Sequence, residues 1–134
     1  MTDYSCLTKF GEPVKIKVCD ASIEVLNYLV AKIEALPKDH LRFSNGKTTI
    51  DRECLGRIDT FRCEFSTNWT QGGPIIEREN IDLISPTPSD PLWQAMQWRF
   101  AHGAKGPTPL IAAMRCFVAS KLGDAVNIPD ELCE

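Results

Sequence analysis

The sequence is poor in the residues that common catalytic and metal-binding sites draw on. It contains only two histidines, His40 and His102, and no CxxC, HExxH or HxH spacing. No zinc-ligand pattern or clustered carboxylate set is therefore legible. No GxSxG elbow or Cys–His signature marks a nucleophile, and both GxGxxG and GxxxxGK[ST] are missing, which excludes the familiar phosphate loops. An excess of positive charge is lacking too. Lys and Arg number 15 against 18 Asp and Glu, a formal net charge of -3. A nucleic-acid polymer is not the expected partner, because such binders usually show a basic face. Long hydrophobic runs are absent: the longest, near residues 110–119, is interrupted by Arg115 and is too short for a membrane span. The N-terminal "MTDYSCLTKF" lacks a basic region followed by an apolar run, so no signal peptide is read and a cytoplasmic protein is expected. There are no internal repeats.

What is present fits one globular domain spanning residues 1–134. Hydrophobic residues make up 43% of the chain and charged residues 25%, enough to bury a core without staples. Cys6, Cys19, Cys54, Cys63, Cys116 and Cys133 lack metal spacing and read as free thiols, several buried as small apolar side chains.

Periodicity supplies the elements. "VKIKV" at 14–18 alternates as a strand. Asp20 or Ser22 caps a following helix with Ile23, Leu26, Val30 and Ile33 on its apolar face, and Pro37 closes it. "LRFSNGKTTI" carries the hairpin pair Asn45-Gly46, and "RIDTFRCEF" alternates again. Gly72-Gly73-Pro74 is expected to break both helix and strand, which leaves "STNWTQGGPIIERE" (66–79) as a loop. "IIERENIDLIS" reads either as two short strands about Glu79-Asn80 or as one irregular strand. Asp90 and Pro91 predict the start of a helix over "PLWQAMQWRFA", with Trp93, Met96 and Phe100 on one face, Trp98 elsewhere, and an end at His102-Gly103. The last helix runs from the Thr108 cap and Pro109 to Gly123, apolar nearly all round. The expected fold is α+β: a single domain with a small antiparallel sheet packed by about three helices.

The chemistry-bearing residues gather in the 66–79 segment. A double glycine, Gly72 and Gly73, lets backbone approach a ligand closely. Trp69 offers a stacking surface, and Asn68 and Gln71 offer paired donors and acceptors, with the hydroxyls of Ser66 and Thr67 beside them. A loop that merely turns a corner is the plainer account of the same composition. Arg115 lies within the most apolar helix. Its guanidinium needs a carboxylate, a row of carbonyls or an anionic ligand: a buried pair with Glu77 or Glu79, a reach to solvent, or an anion anchor at the floor of a pocket. Trp93 and Trp98 stand about 140° apart on the expected helix, so one can pack inward while the other, exposed beside Trp69, would complete a stacking clamp. Glu77, Glu79 and His102 compose no recognised acid–base or nucleophile set, so no catalytic residues, metal or cofactor are assigned and an enzyme of familiar type is not expected.

These segments together, "STNWTQGGPIIERE", a tryptophan helix and "GPTPLIAAMRCFVASKLGDAVNIPDEL", resemble a family of small bacteriophage and prophage proteins of unknown function, the NinX-like group. In that family the loop commonly carries an aspartate before the tryptophan, then glutamine, Gly-Gly-Pro and a glutamate–arginine pair. The matching positions here are Asn68, Trp69, Gln71, Gly72, Gly73, Pro74, Glu77 and Arg78, with Asn68 departing from the aspartate. The C-terminal match includes Pro107, Thr108, Pro109, Arg115 and Lys121. The resemblance implies a phage origin and the host cytoplasm, and it supplies no activity.

Two functions are weighed. The first is a non-enzymatic protein that binds a small nucleotide-like molecule and sequesters a host-defence signal, using Asn68, Trp69, Gln71, Gly72, Gly73, Glu77, Arg78, Thr108 and Arg115, with a homo-oligomer sharing sites between subunits. The alternative is an inhibitor or adaptor that binds a host or phage protein through exposed tryptophans and Arg78.

Overall fold

A computed structural model describes residues 14–44, 46–100 and 102–128. Asn45 of the hairpin pair, Cys6, Cys133 and the side chains of Phe100 and His102 lie outside what it describes. Strand β1, Val14–Lys17, pairs antiparallel with β8, Ala125–Ile128, so the two ends of the described chain meet. A single 3₁₀ turn, Val18–Asp20, leads into helix α1, Ile23–Glu34. Ser22 is its cap: the hydroxyl accepts from Val25 N at 3.4 Å. Strands β2, His40–Ser44, β3, Lys47–Cys54, and β4, Arg57–Arg62, form a second antiparallel sheet in sequential order. Gly46 turns the first hairpin at φ 74°, in the left-handed region that glycine adopts without cost.

The segment expected to be a loop is a helix. Helix α2 covers Trp69–Glu79 and contains Gly72, Gly73 and Pro74. Three local features permit it. Asn68 caps the start, its Oδ1 accepting from Thr70 N at 2.9 Å. Pro74 is the sixth helical residue, so its missing N–H deprives the carbonyl of exposed Thr70, which water can serve. Gly72 lets the helix sit flush on its neighbours: a Cβ there would come within 2.5 Å of the Phe65 carbonyl oxygen and 2.6 Å of Leu110 Cδ2. Close packing has outweighed poor propensity. The helix ends on left-handed Asn80, φ 56°, which replaces both strand readings of 75–85 up to β5, Asp82–Ile84.

The expected tryptophan helix is instead strand β6, Trp93–Gln97, followed by a 3₁₀ turn over Trp98–Phe100 and strand β7, His102–Gly106. β6 lies between β5 and β7 in a third antiparallel sheet. Asp90 does not cap a helix. Its carboxylate accepts from Leu92 N at 3.2 Å, Gln94 Nε2 at 3.3 Å and Lys105 Nζ at 2.7 Å, pinning the entry to the sheet. Gln97 is buried in strand alternation with Ala95, and its Nε2 donates to the Glu79 carbonyl at 3.1 Å.

Helix α3, Pro109–Leu122, runs through the centre with Thr108 as cap and Gly123 at φ 94° closing it. Its residues Leu110–Met114 and Cys116–Ala119 are buried against α1, β6 and β7. Phe117 is fully buried, and truncating such a side chain costs about 3–5 kcal/mol. The architecture is one α+β domain with three small antiparallel sheets in place of one. Among the described residues no helix is long and apolar enough to cross a membrane.

Candidate functional site

The approach to α2 is a tight turn. Thr67 N and Asn68 N both donate to the Glu64 carbonyl, at 3.1 and 2.8 Å, and Ser66 N donates to Oδ1 of buried Asn27 at 2.9 Å. This turn fixes Ser66 inside and projects Trp69 outward, 53% exposed. Trp69 forms one wall of a concavity of about 250 Å³ whose other lining residues are Ile23, Ser66, Thr67, Thr108, Pro109, Leu110 and Ile111. The first residues of all three helices thus border one space: Ile23 of α1, Trp69 of α2 and Pro109 of α3.

Of the residues singled out from sequence, Trp69 and Thr108 meet here. Gly73 lies beneath the indole, where an added Cβ would touch Trp69 Cε3 at 3.9 Å. Gly72 is buried behind the wall, against Phe65 and Leu110. The polar readers are committed elsewhere. The Asn68 amide oxygen caps α2, a task that aspartate performs equally well. Gln71 accepts from Glu64 N at 2.7 Å and donates to the Arg62 carbonyl at 2.8 Å. Its side chain lines a different cavity, with Arg52, Phe61 and Cys63.

Arg78 and Glu77 stand at the far end of α2. Glu77 is exposed. Arg78 grips both carboxylate oxygens of Glu34 at 3.1 and 2.7 Å, meets Glu79 at 3.0 Å and lies 5.7 Å over the Phe117 ring. The hydrogen bonds to Glu34, foremost, hold its proton even more tightly than usual for arginine. Arg78 ties α2 to α1 and α3.

Arg115 is also apart from Trp69. Neither Glu77 nor Glu79 pairs with it: Nη1 donates to the Lys105 carbonyl and Nη2 to the Ala21 carbonyl, both at 2.9 Å. Glu79 instead serves Arg78 and Lys121. The row of carbonyls is therefore the partner among the three options considered. Burial lowers the affinity of the Arg115 guanidinium for its proton. The residue borders a third cavity, of about 330 Å³, with Lys17, Cys19 and Asp124. Trp98, 64% exposed, borders a fourth depression beside Asn80 and Arg99, so no tryptophan clamp forms with Trp69.

Ile23, Leu110 and Ile111 were not legible as site residues. Ser22 and Thr108 announce two helix starts in the sequence, but Asn68 was hidden by the glycines that follow it. Among the described residues no group of three His, Cys, Asp or Glu side chains could hold a metal ion.

A family model described as Bacteriophage P22, NinX matches residues 17–121, and the chain belongs to that family. The match spans α1, α2 and nearly all of α3. No curated protein matches the sequence.

Proposed function

We propose, for this member of a phage family, a non-catalytic protein that binds a small nucleotide-like molecule in the Trp69 concavity and thereby sequesters a host-defence signal. The observation that carries the reading is an indole 53% exposed at the mouth of a concavity, not spread on a flat surface. An exposed tryptophan wall suits a planar ring, since stacking contributes about 1–3 kcal/mol per base. Ile23, Pro109, Leu110 and Ile111 make the lining largely apolar, and Thr67 and Thr108 add polar side chains to it. Apolar walls with a few polar groups are the usual composition of a ligand site. The described lining residues include no carboxylate, imidazole or thiol for acid–base or nucleophilic work, so binding is the chemistry they support.

The test is a thermal-shift panel of nucleosides, mononucleotides, cyclic di- and trinucleotides and ADP-ribose derivatives. A ligand at a hundred times its Kd stabilises by about 2.7 kcal/mol, a shift of several degrees. The shift should vanish in Trp69→Ala, and the ligand should be recovered unchanged. Silence across the panel, or a hit indifferent to Trp69→Ala, would overturn the reading.

A second reading, an adaptor for a host or phage protein, is favoured by the β3–β4 hairpin. Leu55 at its tip is 97% exposed with φ 54°, and Ile58 is 72% exposed. Such a tip exposes apolar area and accepts backbone strain together. Loss of a partner's binding in Ile58→Asp with Trp69→Ala unaffected would select this reading over the first.

A further inference from the structure

Resting on the Trp69 site proposed above, we infer that the ligand is a nucleoside monophosphate, whose single phosphate sits where the three helix N-termini converge, over Ser66. Each helix presents about half a positive charge at its N-terminus. Here three such ends, from helices of 12, 11 and 14 residues, border one cavity. The first amides of a helix have no carbonyl acceptor within it. The caps satisfy one each: Val25 N by Ser22, Thr70 N by Asn68 and Ile111 N by Thr108. The amides of Ile23, Trp69 and Leu110 precede those and are the natural donors to an anion, whereas Pro109 contributes none.

Ser66 is the independent sign of a ligand. It lines the same cavity, it is fully buried, and its hydroxyl has no hydrogen-bond partner among the described residues. Leaving a buried hydroxyl unpaired costs about 1–3 kcal/mol, and the Asn27 amide that fixes the Ser66 backbone does nothing for the side chain. A phosphate oxygen would take that hydrogen. The cavity also limits the charge and size of what it holds. None of its described lining residues is Lys or Arg, so among them dipoles and amides oppose the anion. That suits one phosphate better than a di- or triphosphate, which ordinarily recruits Arg or Lys. A volume of about 250 Å³ lies just below the usual range of ligand pockets, about 300–1,000 Å³, which suits a single nucleotide better than a cyclic dinucleotide.

The experiment is isothermal titration of the full chain with the 5′-monophosphates of the common nucleosides, the corresponding nucleosides, the triphosphates, and inorganic phosphate. Ser66→Ala and Trp69→Ala are titrated in parallel, with urea unfolding confirming that each variant is folded. At least one monophosphate should bind at least about tenfold more tightly than its nucleoside and its triphosphate. Ser66→Ala should weaken that monophosphate about five- to tenfold and leave the weaker nucleoside binding unchanged. Nucleosides binding as tightly as monophosphates, or a monophosphate indifferent to Ser66→Ala, would overturn this inference while leaving the Trp69 reading intact. Tighter binding of triphosphates would overturn it as well. Binding of inorganic phosphate alone, with every nucleoside and nucleotide silent, would defeat both.

Discussion

Two adjacent glycines in α2 should respond to the same substitution with opposite signs. At Gly72 an alanine methyl would meet the Phe65 carbonyl oxygen at 2.5 Å and Leu110 Cδ2 at 2.6 Å. The leucine methyl can swing aside, but the carbonyl belongs to the backbone and cannot move without shifting the turn that leads into α2. Overpacking of this kind costs about 1–3 kcal/mol, and contact with backbone places Gly72 toward the upper end. At Gly73 the nearest atom outside its immediate surroundings is Trp69 Cε3 at 3.9 Å, an ordinary van der Waals contact. Both substitutions gain the helix preference of alanine over glycine, about 1 kcal/mol. Gly72→Ala should therefore lose about 2 kcal/mol and Gly73→Ala should gain up to about 1 kcal/mol. At roughly 4 °C per kcal/mol for a domain of this size, their Tm values should differ by about 10 °C, with the wild type between them. Urea unfolding monitored by far-UV circular dichroism gives the same comparison as a free energy. Shifts in the same direction, or a Gly72→Ala protein as stable as wild type, would mean that α2 does not rest on Phe65 and Leu110.

Three further outcomes are expected. Gln71→Ala removes the acceptor of Glu64 N and the donor to the Arg62 carbonyl and should lower unfolding free energy by about 1–3 kcal/mol in urea titration, with Gln71→Glu losing only the donor and falling between. Cys63 and Cys116 are buried, and burial raises both thiols to about 11. At pH 8, peptide mapping after brief alkylation should find the exposed Cys19 and Cys54 modified and these two spared until urea is added. Asp39 is hydrogen-bonded by Arg52, the foremost cause holding its carboxyl below 3.8, with Leu36 N assisting. A depressed folded-state value adds stability above about pH 4 that is lost as pH falls through it. The stability gap between wild type and Arg52→Met, read from urea midpoints, should accordingly shrink below about pH 4, and a gap constant down to about pH 2 would refute the pairing.

The parts of the fold legible in sequence were those whose signals are local. Ser22, Thr108 with Pro109, and Gly123 set helix limits within a few residues, and the alternation at 40–62 needs only a strand's own period. The misread elements depend on distant partners. Gly72 packs flush on the Phe65 carbonyl and on Leu110, and Leu110, 38 positions further on, lies outside any local window. Trp93, Met96 and Phe100 fit a helical stripe, while the inward alternation of β6 was disguised by Gln97, a polar residue buried because the Glu79 carbonyl receives its amide. For the site, Trp69 and Thr108 lie 39 positions apart in the sequence, and it is the first turns of α2 and α3 that bring them together. Arg115 lies in α3, which Thr108 caps, but stands about 10 Å further along its axis, two turns away, and so serves another cavity.

Gln71 has a consequence for how the protein keeps its own sheet from growing. Cys63 N donates inward to the Thr48 carbonyl, which leaves the Arg62 carbonyl and Glu64 N facing the open side of β4. A parallel neighbouring strand would satisfy that pair with one residue, its N–H donating to the first and its C=O accepting from the second. The Gln71 amide makes those same two bonds. One side chain therefore stands in for a strand and terminates the ladder, leaving a foreign chain no purchase at that end of an edge that naturally invites addition. The residue that looks most like a reader of ligands is, in this place, a doorstop.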